Sequence, residues 1–356
     1  MTAVELDKAK AEAFGGRMLG IMNSGLLALM TSIGHRTRLF DTMSQLAPST
    51  SQQIADAANL NERYVREWLG SMVTGRIIEY DSTNGTYLLP PEHAASLTRA
   101  AGPGNLANTL QLISMVGTVE DEIVDCFRRG GGVPYSKYPK FQQLMGELSA
   151  DIFDATLVDV TLPLAPGLVE RLQTGIEVAD VGCGHGHAIN LMAKTFPNSR
   201  FIGYDFSEQG IAAAKAEAMA WGLRNADFWA KDVATLEGPP KFELITAFDV
   251  IHDQAQPRRV LKGIADSLKD NGVFLCVDVA ASSSLGENME HPLAPMLYSV
   301  STLHCMTVSL ALNGEGLGAM WGTQKAEELL REAGFRQIDV KSVEGDIFNA
   351  YYIASK

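Results

Sequence analysis

The sequence predicts an α/β protein in which a doubly wound parallel sheet follows a mainly helical first domain, with the boundary near residue 150. Three observations predict it. From Ile176 onward, apolar β-type runs alternate with helical stretches, the pattern of a parallel sheet with helical crossovers. Through the first half, apolar residues recur at helical spacing around one pair of short β-like runs. The length, 356 residues, suits one larger and one smaller domain, and 46% hydrophobic with 20% charged residues is a globular composition.

Residues 5 to 46 read as helix, and the uncharged run Met18–Gly34 falls short of a membrane span, so it is expected to be a buried helix or a subunit interface. Homodimerisation is expected from it. Thr50 or Ser51 caps a short helix that Asn59 breaks, and Asn61 caps a second one carrying Tyr64, Val65, Trp68, Leu69 and Met72 on one face. Two β-like runs, RIIEY and TYLLP, then flank the turn residues DSTNG. Two helices followed by a hairpin make a winged-helix module. DNA binding is one use of such a module, but the second helix sets Glu62 and Glu67 beside Arg63 and Arg66, and the net charge is -13. Phosphate contact needs clustered cations, so a dimerisation scaffold is expected and nucleic acid is not.

More helix is expected to about residue 173, interrupted by GGGVPYSKYPKF, an aromatic and glycine-rich segment that suits either a lid over a pocket or a packed connection. The four cysteines show no CxxC spacing, and no leader opens the chain, which predicts a reduced, cytoplasmic protein without a membrane span.

The alternation then runs IEVADVG, helix 187 to 195, RFIGYD, helix 208 to 221, ADFWAKD, FELITAF, helix 256 to 269 and GVFLCVDV. In VADVGCGHGHA the first strand ends in Asp180, and Gly182, Gly184 and Gly186 allow a tight turn close to a ligand. Asp205 ends the second strand, placed for a ribose diol, and Asp232 follows the third, placed for an adenine amine. A dinucleotide fingerprint starting at Gly182 would put its last glycine on His187. Three acids at successive strand ends suit a neutral nucleoside with a cationic tail and repel phosphates.

These residues resemble the class I S-adenosylmethionine-dependent methyltransferases, and the winged-helix front half resembles their dimeric small-molecule O-methyltransferase branch, close to a bacterial subgroup. The resemblance implies a Rossmann-like class I sheet over residues 151–356 behind a helical winged-helix dimerisation domain over residues 1–150. S-adenosylmethionine is the implied cofactor. Asp180, Gly182, Cys183, Gly184, Gly186, Asp205, Phe206, Lys231, Asp232, Val233 and Phe248 are the implied cofactor-binding residues.

In the same branch a strand-four motif ends in His-Asp, and AFDVIHDQ resembles it, which makes His252 the expected proton acceptor of a hydroxyl. The chemistry agrees. A sulfonium activates the methyl carbon, so the protein's task is to position the acceptor and remove its proton, near the unperturbed pKa of histidine. Asp253, or a carboxylate from the C-terminal segment, is expected to orient the ring; helix capping is the plainer use of the pair. Glu315 and Glu290 are the nearest matches to the two glutamates that flank this histidine in plant-type relatives. Residues 282–322 exceed what a bare sheet needs. With Tyr135, Tyr138 and Met145 from the preceding half, Tyr298, His304 and Trp321 are expected to line an acceptor pocket for a hydroxylated, largely apolar molecule, or else to pack against a neighbouring domain. His304 and Cys305 are not spaced to share an ion, so no metal is expected. A regulator that senses the cofactor, and methyl transfer to carbon or nitrogen, are the alternatives.

Overall fold

A computed structural model describes residues 6–356 except Pro139 and Glu237. The chain separates into two compact units, one through Ser114 and one from Met115. The helices between residues 115 and 174, split by the sequence reading at residue 150, belong with the second unit. Helical periodicity reports that a face is buried, not what buries it.

In the first unit, helix α1 (Lys8–Arg36) and the short α2 (Leu39–Met43) precede the winged-helix pair α3 (Ser51–Ala58) and α4 (Glu62–Thr74). A reciprocal capping box between Thr50 and Gln53 starts α3, and Asn59 ends it in the left-handed conformation at φ 54°. Asn61 caps α4. Strands β1 (Glu79–Asp81) and β2 (Thr86–Leu88) form the wing. Val65, Trp68, Leu69 and Met72 are buried as expected, with the Trp68 indole donating to the Met30 carbonyl at 2.8 Å. Tyr64 is not on that face; it is 81% exposed. Nor is α1 buried along its length. Phe14, Leu19, Met22 and Leu26 are exposed, and burial begins only at Ala28.

The second unit carries a seven-stranded sheet in the order β5-β4-β3-β6-β7-β9-β8. Strands β3 (Glu177–Val181), β4 (Arg200–Asp205), β5 (Ala226–Ala230), β6 (Phe242–Phe248) and β7 (Leu268–Val279) run parallel, as the alternation predicts. The last two, β8 (Gln337–Lys341) and β9 (Asn349–Ser355), are antiparallel and escaped the sequence reading. They form a hairpin rather than a crossover unit, and β8 is a largely exposed edge without an apolar run. Two apolar layers sandwich the sheet, one centred on Ile245, Ile264 and Phe274, the other on Leu172, Ile189 and Phe201. The strand order reverses at β3, between β4 and β6, so the crevice at the carboxyl ends of these three strands is where an open sheet of this kind takes a ligand.

Candidate active site

A cavity of about 170 Å³ opens at that crevice. Glycine lets the loop after β3 reach it. Gly186 holds φ at 73°, and a Cβ there would lie 2.4 Å from the Ala214 methyl and 2.6 Å from the Phe228 ring. All eleven residues expected to hold the cofactor line this cavity. Asp180 is buried and accepts from the Thr246 hydroxyl at 2.7 Å; burial, opposed by that bond and aided by Asp205, pushes its carboxyl up to about 7. Asp205 accepts from the Gly184 and Ser207 amides at 2.9 and 2.8 Å, which fixes the carboxylate across the glycine turn, while burial still raises its pKa. Asp232 caps a one-turn helix by accepting from the Ala234 amide at 2.9 Å. Burial and the adjacent acids raise the Cys183 thiol well above its ordinary range, which keeps it protonated and inert.

His252 does not line the cavity. It lies in a single 3-10 turn, Ile251–Asp253, with its side chain buried against β7. Nδ1 is 2.7 Å from Asp278 Oδ1, which also accepts from the Val279 amide at 2.8 Å and from the Trp321 indole at 3.2 Å. With Asp278 ionised, Nδ1 is the donor, and Cys305 is a further side-chain partner of the ring. Burial alone would lower the imidazole pKa, but the Asp278 charge and hydrogen bond, with a contact to Cys305, raise it well above the ordinary value.

The expected partner, Asp253, is engaged elsewhere: its Oδ2 accepts from the Tyr135 hydroxyl at 2.6 Å, at the cavity wall. Successive residues of a 3-10 turn point about 120° apart, so His252 and Asp253 cannot share a direction. Burial pushes the Asp253 carboxyl up to about 6 against the opposing pull of His252 and Tyr135. Glu315 pairs with Arg258 at 3.2 Å, and Glu290 is an exposed residue. The second acid near His252 is Asp249, which lines the cavity from a left-handed backbone (φ 53°) at the end of β6. The residue is exposed at the cavity, and local desolvation with the Asp278 charge close by raises its carboxyl. Among the described residues, Asp249, His252 and Asp278 are the one group whose possible ligand atoms lie within 4.8 Å of one another. Sequence reasoning saw neither acid as part of the site. The available signal was a carboxylate inside the apolar run FLCVDV, since a buried charge needs a partner.

Of the expected acceptor-pocket residues, Tyr135 and Met145 line the cavity. Tyr138, Tyr298, His304 and Trp321 do not. The Tyr138 hydroxyl donates to the Leu303 carbonyl at 2.6 Å, and Tyr298 accepts from the Asn288 amide at 3.1 Å. His304 stacks on Phe141 at 4.2 Å, with Tyr135 and Tyr138 edge-on to it, and burial lowers its pKa to about 3. Trp321 supports Asp278 instead. The glycine-rich segment is both wall and packed connection. Gly132 approaches the Thr307 carbonyl so closely that a Cβ would fall 1.9 Å from it, and the next residue's amide donates to the Thr307 hydroxyl at 2.9 Å.

Residues 25–99 match the Rv2258c-like winged HTH domain family, and residues 172–334 match a methyltransferase domain family. Among curated proteins, a ubiquinone biosynthesis O-methyltransferase of Idiomarina loihiensis is 29% identical over 115 residues, which are 31% of this chain and 46% of that protein. A tRNA (guanine-N(7)-)-methyltransferase of Rhodopseudomonas palustris is 26% identical over 172 residues, 44% of this chain and 69% of that protein. The chain therefore spans less than half the length of the first of these relatives and about two thirds of the second. Among solved structures, the mitomycin 7-O-methyltransferase MmcR superposes with a TM-score of 0.72 at 16% identity, covering 98% of this chain and 100% of that one. Human N-acetylserotonin methyltransferase, solved with S-adenosylmethionine, gives 0.70 at 18%, covering 100% and 99%. At such identities the structural likeness establishes the fold.

Proposed function

We propose that the chain, which carries a match to a winged helix-turn-helix domain ahead of one to a methyltransferase domain, is an S-adenosylmethionine-dependent methyltransferase that methylates a hydroxyl oxygen on a largely apolar small molecule. The observation that carries the cofactor assignment is the convergence of Asp180, Asp205 and Asp232, from the ends of three adjacent strands, on one cavity behind a glycine turn. The donor set fits the group: Asp205 is held for a ribose diol and Asp232 for an adenine amine, and the concentration of carboxyls matches a ligand with an ammonium and a sulfonium. Bound there, S-adenosylmethionine supplies a methyl carbon activated by positive sulfur.

The chain's own residues then have two tasks. Phe248 and Tyr135 are part of the cavity wall, excluding water and orienting the acceptor. His252, its Nδ1–H held by Asp278, takes the hydroxyl proton on Nε2, and Asp278 stabilises the imidazolium that results. Asp249 stands as a second carboxylate beside it. Oxygen is favoured over carbon or nitrogen as the acceptor atom because a buried His-Asp pair is what an unionised hydroxyl requires.

The winged helix serves as a scaffold in this reading. Arg63 pairs with Glu67 and Arg66 with Glu62 along α4, so its cations are already neutralised. The exposed apolar face of α1 supports a homodimer. Four free thiols fit the cytoplasm. Among the described residues no single helix is long and apolar enough to cross a membrane. The test is calorimetric titration with S-adenosylmethionine, S-adenosylhomocysteine and NAD, followed by a methyl-transfer screen of phenolic acceptors. Binding of the first two and not of NAD is expected; binding of NAD alone, or of none, would overturn the proposal.

A further inference from the structure

The cavity has a cover. In the helix Phe141–Thr156, residues Phe141, Met145, Ser149 and Phe153 stand four apart, so they share one face, and all four line the cavity. Leu144 is the one buried residue of the sixteen, and a helix held by so few buried apolar contacts is an element that opens locally. Phe141 stacks on His304 at 4.2 Å near one end, and Phe153 meets the Phe248 ring edge-on at 4.9 Å near the other. Asp154 adds a polar contact, its carboxylate lying 3.1 Å from His187 Nε2.

His187 opens the helix that follows the glycine turn and lines the cavity itself. Its other nitrogen, Nδ1, lies 2.8 Å from Glu217 of the helix Glu208–Ala220. Ionised carboxylates only accept hydrogen bonds, and a neutral imidazole donates from one nitrogen alone. Both contacts are therefore hydrogen bonds only while the ring carries its second proton. The two acids are not equally fixed. Glu217 also accepts from the Asn190 amide at 2.8 Å and its side chain is 28% exposed, whereas that of Asp154 is 62% exposed. When the ring gives up a proton, Glu217 keeps the remaining N–H and Asp154 lets go. The other groups around the ring do not replace that contact: Lys194, on the ring's own helix, sits over Trp221 at 4.8 Å, Trp221 is edge-on to His187 at 5.5 Å, and Asp151, one turn before Asp154 on the cover, is a further acid.

We propose that His187 is a positioning residue: by bridging Glu217 and Asp154 it holds the helix Phe141–Thr156 over the cavity, and it makes exchange of the cavity's ligand faster as pH rises. The identity of that ligand rests on the cofactor reading above.

The test is the rate at which S-adenosylhomocysteine dissociates from the full chain, followed by stopped-flow displacement from about pH 5 to about pH 8, where histidines change charge. Asp180 and Asp253 titrate in the same range, so the reading is the difference between variants. The unaltered protein is expected to release the ligand about two- to fivefold faster at the upper end through this contact, the range for an exposed ion pair. Asp154→Asn should remove that rise, because an amide pairs with the ring in either protonation state. His187→Gln should release quickly throughout. A rise in Asp154→Asn equal to that of the unaltered protein, or an unchanged rate in His187→Gln at the lower end, would overturn the proposal; should His187→Gln not fold, the Asp154→Asn comparison decides alone. If S-adenosylhomocysteine does not bind, the cofactor reading falls, and amide hydrogen exchange across residues 141–156 at about pH 5 still tests the latch. Faster exchange in His187→Gln than in the unaltered protein and Asp154→Asn supports it, and equal protection in all three overturns it.

Discussion

His252 and Asp253 are consecutive residues with different surroundings, and the difference decides their chemistry. The first turns into the protein and meets Asp278; the second turns to the cavity wall and meets Tyr135. The Asp278 charge and hydrogen bond raise the His252 pKa against the opposing effect of burial, so the neutral imidazole that the proposed base requires grows as pH climbs through that raised value. The expected kcat/KM profile therefore has an ascending limb centred above about 6.5, the unperturbed histidine value. Asp278→Asn removes the charge that raises the pKa, so the limb should move to lower pH while kcat falls, by about 10²-fold or more as for loss of an oriented base. S-adenosylhomocysteine affinity should hardly change. A limb that does not move in the variant would remove Asp278 from the proton-transfer machinery, and unimpaired turnover of His252→Ala would remove His252.

At the scale of the element, the turn joining β3 to the helix His187–Thr195 ties the proposed cofactor site to packing. Gly186 is left-handed and pressed between Ala214 and Phe228, so Gly186→Ala would combine backbone strain with a clash of two side chains. The expected cost is about 1–3 kcal/mol of stability, the usual range for an overpacked core, together with loss of cofactor affinity. Denaturant unfolding and calorimetry on one preparation would read both. Gly184, with the same left-handed φ but open space around it, supplies the control: its alanine variant carries strain without the clash and should lose less stability. If the two variants unfold alike, the clash is not what makes glycine necessary at 186.

At the scale of the whole molecule, the uncovered face of α1 is the main unsolved burial problem. Phe14, Met18, Leu19, Met22 and Leu26 are each between 46% and 60% exposed, on a helix that reads as apolar on nearly every side from Met18 to Gly34. A contiguous apolar surface of this kind marks an association site. Light scattering at micromolar concentration is expected to give twice the chain mass of 38.4 kDa, and Leu19→Glu with Met22→Glu should shift it toward one chain mass. A monomeric mass for the unaltered chain would sink the dimer.

The sequence by itself determined the parallel sheet, the winged-helix pair with its caps, and the glycine turn at the crevice of the sheet, because each is written in local rules. Alternation sets strands and crossovers, Asn and Thr cap helices, and glycines with an acid at a strand end mark a ligand turn. It also determined that His252 lies next to that crevice. Only the tertiary structure decided which carboxylate serves His252, since Asp278 is 26 residues away and reaches it through β6–β7 pairing rather than chain proximity. The same holds for Trp321, expected in an acceptor pocket and found beneath Asp278. It holds too for His185, whose ring Gly146 of a distant helix approaches so closely that no Cβ would fit between them. Local propensities act over a few residues, whereas side-chain partnership is set by which surfaces the packed sheet brings together.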